Sequence, residues 1–339
     1  MILPENKFFL FGMGHREKYA YKCGQLINIK NNTVVRFWDY VSEKFIYDEY
    51  TVILTLKDGS TVMLYENEEG FFIDDYCVEK SKLNLPSFKG YKYEKSLRIL
   101  LNEVLISFNG NIPVPNFYVY DKAWYRDGAM MALVLDKTGN IDLLKNWALS
   151  ITSLYDKNNA GNCEPDNLGQ LAFILSFFVD KSYPLVTEIL SEAKRIMKNG
   201  LLTGMTDFNH HEIYSTLWLK LGLKRLGIDT SFIKIPMEFD SYARMFWMDK
   251  TEIERDTPFE NNYDENYPYL WWAVKHFENE PINEKLINPN IYPMSWERLA
   301  SQAKYEKIAP LSKIYAENNF SAPHSWHASE QFMYLIEMR

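Results

Sequence analysis

Tyr118-Val119-Tyr120-Asp121-Lys122-Ala123-Trp124-Tyr125-Arg126-Asp127-Gly128-Ala129-Met130 runs from a polar, aromatic loop directly into an apolar helix. From Trp124 to Leu135 the apolar residues recur with the 3.6-residue period of a helix that buries one face. The pair Arg126-Asp127 therefore stands at a helix mouth. A carboxylate there can accept the hydroxyl groups of a ligand while Arg126 fixes its geometry, and Trp124 or Tyr125 can line the pocket. The alternative is local: Asp127 opens an apolar helix and serves as its N-cap.

The same design recurs downstream. Asn158 to Gln170 is a polar loop carrying Glu164, Pro165 and Asp166 into a strongly apolar helix, where Asp166 can bind a ligand or simply cap, and Glu164 can be solvated. Thr203 to Ser215 places Asp207, His210, His211 and Glu212 before another long helix. The adjacent histidines invite a metal reading, but neighbouring side chains on a helix diverge by about 100°, and a ligand pair needs a spacing of three or four. No metal is expected. Glu317 to Gln331 carries His324, Trp326, His327 and Glu330, whose spacing of three lets His327 and Glu330 share a helix face. Its local alternative is a Pro-Ser start signal for the last helix, with Glu330 facing solvent or holding a neighbouring loop.

Outward from these loops, period-3.6 patterns fill Tyr93 to Ile106, Ile141 to Tyr155, Asn167 to Val179, Leu185 to Met197, His211 to Leu226, Asn266 to Phe277, Ser295 to Lys304 and Ser325 to Met338. Helices alternating with chemically loaded loops suggest a mainly α toroid whose loops gather at one end. Ahead of it, β-branched and aromatic runs at Gln25 to Lys30, Thr33 to Tyr40, Thr51 to Leu56 and Thr61 to Tyr65 are separated by turn signals, Lys57-Asp58-Gly59 among them. The expected organisation is a β-rich domain over 1–85 and a helical catalytic domain over 86–339, joined near Pro86 and Gly90.

Composition narrows the function. With 339 residues, 47% of them hydrophobic and 24% charged, the chain has ample material for a core. A net charge of -8 argues against nucleic acid, whose phosphates need a basic face. No apolar run approaches the roughly 18 to 20 residues that span a bilayer, so no membrane partner is expected. Cys23, Cys77 and Cys163 have neither metal-ligand spacing nor an even count, which points to a reducing cytoplasm. The aromatic fraction of 16% suits sugar rings as well as core packing.

Trp124-Tyr125-Arg126-Asp127 followed by Ala129 resembles the Trp-x-Arg-Asp-x-Ala motif of the six-hairpin, (α/α)6 glycosidases, specifically the glucoamylase-like members of glycoside hydrolase family 15. Pro165-Asp166-Asn167-Leu168-Gly169 is similar to the family's Pro-x-x-Asp-Gly segment, and Met205-Thr206-Asp207 stands where the family carries Trp-Glu-Glu. The resemblance implies an (α/α)6 toroid of helical hairpins preceded by a small β-rich domain, and hydrolysis of a terminal glycosyl unit with inversion and without a cofactor. It implies Asp207 or Glu212 as the acid and Glu317 as the base, Arg126 and Asp127 as sugar anchors, and Trp124, Trp271, Trp272 and Trp326 as stacking faces. Glu164, Asp166, His211, His324 and Glu330 complete the substrate-binding candidates.

Two rivals accompany this reading. A sugar epimerase of the N-acylglucosamine 2-epimerase type would use His210 or His211 on one side and His324 or His327 on the other to move a proton. A non-catalytic glycan-binding homologue would account for the missing Trp-Glu-Glu.

Overall fold

The structure, a computed structural model, describes residues 8–117, 120, 122–157, 161–207, 209–236, 240, 242–243, 246, 294–295 and 323–337. The first part is two antiparallel meanders. β1 (Phe8–Phe11), β2 (Tyr19–Lys22), β3 (Gln25–Asn28) and β4 (Thr33–Phe37) form one sheet in chain order. β5 (Tyr40–Ile46), β6 (Thr51–Leu56), β7 (Thr61–Glu66), β8 (Gly70–Ile73) and β9 (Tyr76–Lys80) form the second.

Alternation sets the register of the second sheet. Pairing Thr51 with Tyr65 and Thr55 with Thr61 puts Val52, Leu54, Val62 and Leu64 inside. The aromatic rings of Phe9, Phe11, Tyr50 and Phe71 fill the space between the sheets, with Phe11 stacked on Phe71 at 4.5 Å between centroids. Buried Glu66 ends β7 and accepts hydrogen bonds from the amides of Gly12 (2.8 Å) and Met13 (2.7 Å) and from Arg16 Nη1 (2.9 Å). This satisfies the backbone of the loop after β1.

Seven α-helices follow among the described residues: α1 (Glu94–Ile106), α2 (Tyr125–Lys137), α3 (Lys145–Ser150), α4 (Asp166–Leu175), α5 (Pro184–Ile196), α6 (Glu212–Arg225) and α7 (Ser325–Ile336). They pack in the spatial order α1, α7, α2, α4, α6, with α3 and α5 against α4. α4 and α6 approach most closely, because Gly169 lies against the backbone of Trp218 and Leu219, and Gly222 against that of Phe173. The sheets and helices share one core. The Gly14 amide donates to Leu105 O at 2.7 Å, and Asn84 N to Asn140 Oδ1 at 2.8 Å.

The mainly α fold class and the six-hairpin, glucoamylase-like resemblance do not hold. Of the described residues 36% are helical and 23% lie in strands, and the described helices form no toroid. The physical reason is twofold. Alternating short runs such as Tyr40–Ile46, Gly70–Ile73 and Tyr76–Lys80 satisfy their backbones by pairing, so the β part is a nine-strand body rather than a small appendage. The period-3.6 pattern over Ile141 to Tyr155 yields only a 3-10 turn (Ile141–Leu144) and the six-residue α3, after which the chain extends at Ile151. The helix expected over Asn266 to Phe277, and that over Ser295 to Lys304 beyond Ser295 itself, lie outside the described residues.

Candidate functional site

α2, α4, α6 and α7 begin beside one another, and the side chains at these N-terminal ends converge on Arg126. This second residue of α2 is buried, with its guanidinium shared among three carboxylates. Nη2 lies 2.9 Å from Glu164 Oε2, Nε 3.1 Å from Asp166 Oδ2 and Nη1 3.2 Å from Asp207 Oδ2. Burial opposes the guanidinium charge, but Asp166, Tyr214, Asp207 and Glu164 outweigh it and hold the group well above its usual range. Burial raises the Glu164 carboxyl, with Arg126 acting against that rise.

The carboxylates are tied in turn. Gln170, one turn after Asp166 on α4, donates to Asp166 Oδ2 at 2.7 Å, and the amide of Asp207 donates to Glu164 Oε1 at 2.7 Å. Asp207 also accepts the Tyr242 hydroxyl on Oδ2 at 2.7 Å. The capping alternative for Asp127 and Asp166 is not what these side chains do, since neither α2 nor α4 has a side-chain N-cap hydrogen bond. Asp127 instead accepts from Ser325 Oγ at 2.9 Å, tying α2 to α7. Burial raises its carboxyl to about 7, against the opposing effects of Ser325 and Arg126.

His211 precedes α6, with Nδ1 2.8 Å from Asp240 Oδ1. Its ring stacks on Tyr242 at 3.9 Å and 8°. Trp326 on α7 lies 5.8 Å from the Arg126 guanidinium and 5.8 Å from the Tyr242 ring, which it meets edge-on. His324 and His327 stack on each other at 4.3 Å, and His324 Nδ1 is 3.8 Å from Asp127 Oδ1. Burial lowers His324 to about 3 and, together with His324, holds His327 well below the ordinary histidine range.

The sequence candidates thus divide. Arg126, Asp127, Glu164, Asp166, Asp207, His211, His324 and Trp326 belong to one connected neighbourhood. Trp124 is the N-cap residue of α2, and its ring lies edge-on to Tyr120. Glu212 is one third exposed and lies 3.9 Å from the exposed His210. Glu330 does not face solvent: it is buried in α7, neither carboxylate oxygen has a hydrogen-bond partner among the described residues, and burial raises it to about 8. Glu317, Trp271 and Trp272 lie outside the described residues.

Gln170, Tyr214, Asp240 and Tyr242 were not legible as site residues. Gln170 had a signal, its i+4 spacing from Asp166. Asp240 and Tyr242 had none, standing 29 and 35 residues from the partners they meet. Among the described residues no group of three or more His, Cys, Asp or Glu side chains is disposed to hold a metal ion, and no helix is long and apolar enough to cross a membrane. No protein-family model, curated protein or solved structure matches this chain.

Proposed function

We propose that the Arg126 cluster binds a terminal sugar of an oligo- or polysaccharide and hydrolyses its glycosidic bond. The supporting observation is the buried guanidinium that gathers Glu164, Asp166 and Asp207 from two loops and a helix start beside the indole of Trp326. Fixed carboxylates accept sugar hydroxyls and an indole face covers the apolar side of the ring. In such hydrolysis one carboxyl protonates the leaving oxygen while a second carboxylate activates water from the opposite face. Asp207, with its side chain 36% exposed, is the most open of the three and is assigned the first role. Glu317, outside the described residues, is assigned the second.

The test is release of monosaccharide from a panel of oligosaccharides and p-nitrophenyl glycosides, read by chromatography. Asp207→Asn should lower turnover by about 10² to 10⁴. An Asp207→Asn protein with the parent's rate on a substrate the parent cleaves removes this assignment. A second reading rests on the His211–Asp240 pair, in which a carboxylate orients an imidazole as in proton-transferring enzymes. It makes the chain a sugar epimerase, and deuterium from solvent would then appear on a sugar carbon.

A further inference from the structure

Asp207 is held from several directions. Its backbone takes a left-handed conformation at φ 52°, costly for a residue with a side chain, within a tight turn closed by Thr206 and Asn209 (2.8 and 3.1 Å). Its amide is spent on Glu164. In its side chain Oδ2 meets both Arg126 Nη1 and the Tyr242 hydroxyl, while Oδ1 has no hydrogen bond among the described residues. One oxygen is clamped twice and the other is not.

The clamp itself is anchored. Asp240 Oδ1 faces His211 Nδ1 at 2.8 Å and accepts the Tyr242 amide at 3.0 Å, and Oδ2 accepts the Tyr214 amide of α6 at 2.9 Å. The Tyr242 ring lies flat on His211 and edge-on to Tyr214 and Trp326. Burial and then the charge of Asp207 push the Tyr242 phenol far up, so its hydroxyl stays a donor. A rigid phenol fixed at its backbone and on its face differs from a surface tyrosine that happens to touch a carboxylate.

We propose that Tyr242, anchored by the His211–Asp240 pair, is the positioning residue that clamps Asp207 Oδ2 and leaves Oδ1 as the atom that meets the sugar. This rests on the sugar-hydrolysing reading above. Arg126 alone does not define the carboxylate's rotation, because its Nη1 contact is the longest of its three and is made to the same oxygen. The phenol supplies the second point that a fixed orientation needs.

Tyr242→Phe removes one oxygen and keeps the ring stack. In crystals of the variant, Asp207 should rotate away from the orientation it holds in the parent. On the glycoside the parent cleaves best, kcat/KM should fall about tenfold, the equivalent of one lost hydrogen bond to a charged group, with the thermal midpoint close to the parent's. In an Asp207→Asn background the same change should cost nothing further, because the two residues act through one contact. An unchanged Asp207 orientation overturns the proposal whatever the protein cleaves, and so does an undiminished second drop in the double variant. If the parent hydrolyses no member of the panel, the functional reading fails, and the crystallographic comparison still decides whether Tyr242 sets the orientation of Asp207.

Discussion

Single residues in this protein carry large electrostatic loads. Glu330, Glu103 and Asp127 are fully buried carboxyls raised by burial to about 8, 7 and 7. A carboxyl whose folded value lies above its unfolded one costs stability as pH rises between the two, because the unfolded chain ionises first. For Glu330 that window runs from 4.5 to about 8. Within it each pH unit should cost about 1.4 kcal/mol per such group. Urea unfolding at several pH values between 5 and 8 should therefore show stability declining, and Glu330→Gln should flatten the decline by about that slope. Equal slopes for parent and variant would show that Glu330 does not stay protonated in the fold. Arg126 carries the opposite load. Arg126→Met leaves Glu164, Asp166 and Asp207 crowded and uncompensated, so stability at pH 7 should fall by about 3 to 5 kcal/mol by denaturant titration.

Elements are placed by close approaches that only small residues permit. A methyl group on Gly169 would run into the backbone of Leu219 and Trp218, and backbone cannot step aside as a flexible side chain can. Gly169→Ala should separate α4 from α6, lowering stability by about 2 to 3 kcal/mol and disturbing the Asp166 contacts at the start of α4. Near-parental stability together with an intact site would mean the two helices slide without loss. In the first sheet β4 is an edge strand with every residue exposed, including Val34, Val35 and Phe37. Such an edge invites pairing with another chain. Val35→Lys should slow heat-induced aggregation, measured by light scattering, with the unfolding midpoint unchanged.

For the whole molecule, the contacts between sheets and helices decide how it unfolds. One apolar cluster includes Phe9 and Leu54 from the sheets as well as Leu105 and Leu144 from the helical part, and backbone bonds such as Gly14 to Leu105 cross between them. Calorimetry should show the β part and the helices melting in one transition. A fragment of residues 1–85 exposes the surface that Leu105 and Leu143 cover, so it should be unfolded or aggregated. A cooperative melt of that fragment would mark the β part as an independent domain.

The sequence by itself determined what depends on near neighbours. Period-two runs paired as the hairpin of Thr51–Leu56 with Thr61–Glu66 because the turn between them is local, and the apolar stripe after Trp124 became α2 because each turn of a helix bonds to the one before it. Local loop chemistry also placed Arg126, Glu164, Asp166 and Asp207 at helix mouths. Tertiary structure decided how those mouths combine. Asp127 and Glu330 looked the same in the sequence, as acids at the start of or within a helix, yet one meets Ser325 across 198 residues and the other is enclosed with no hydrogen-bond partner among the described residues. The toroid expected from helical periodicity failed for the same reason: periodicity reports which face of an element is apolar, not which neighbour covers it. Asp240 and Tyr242, which complete the site, bear no local mark, because a carboxylate and a phenol acquire their roles only when folding removes water and brings His211, Asp207 and Arg126 within hydrogen-bond range of one another's partners.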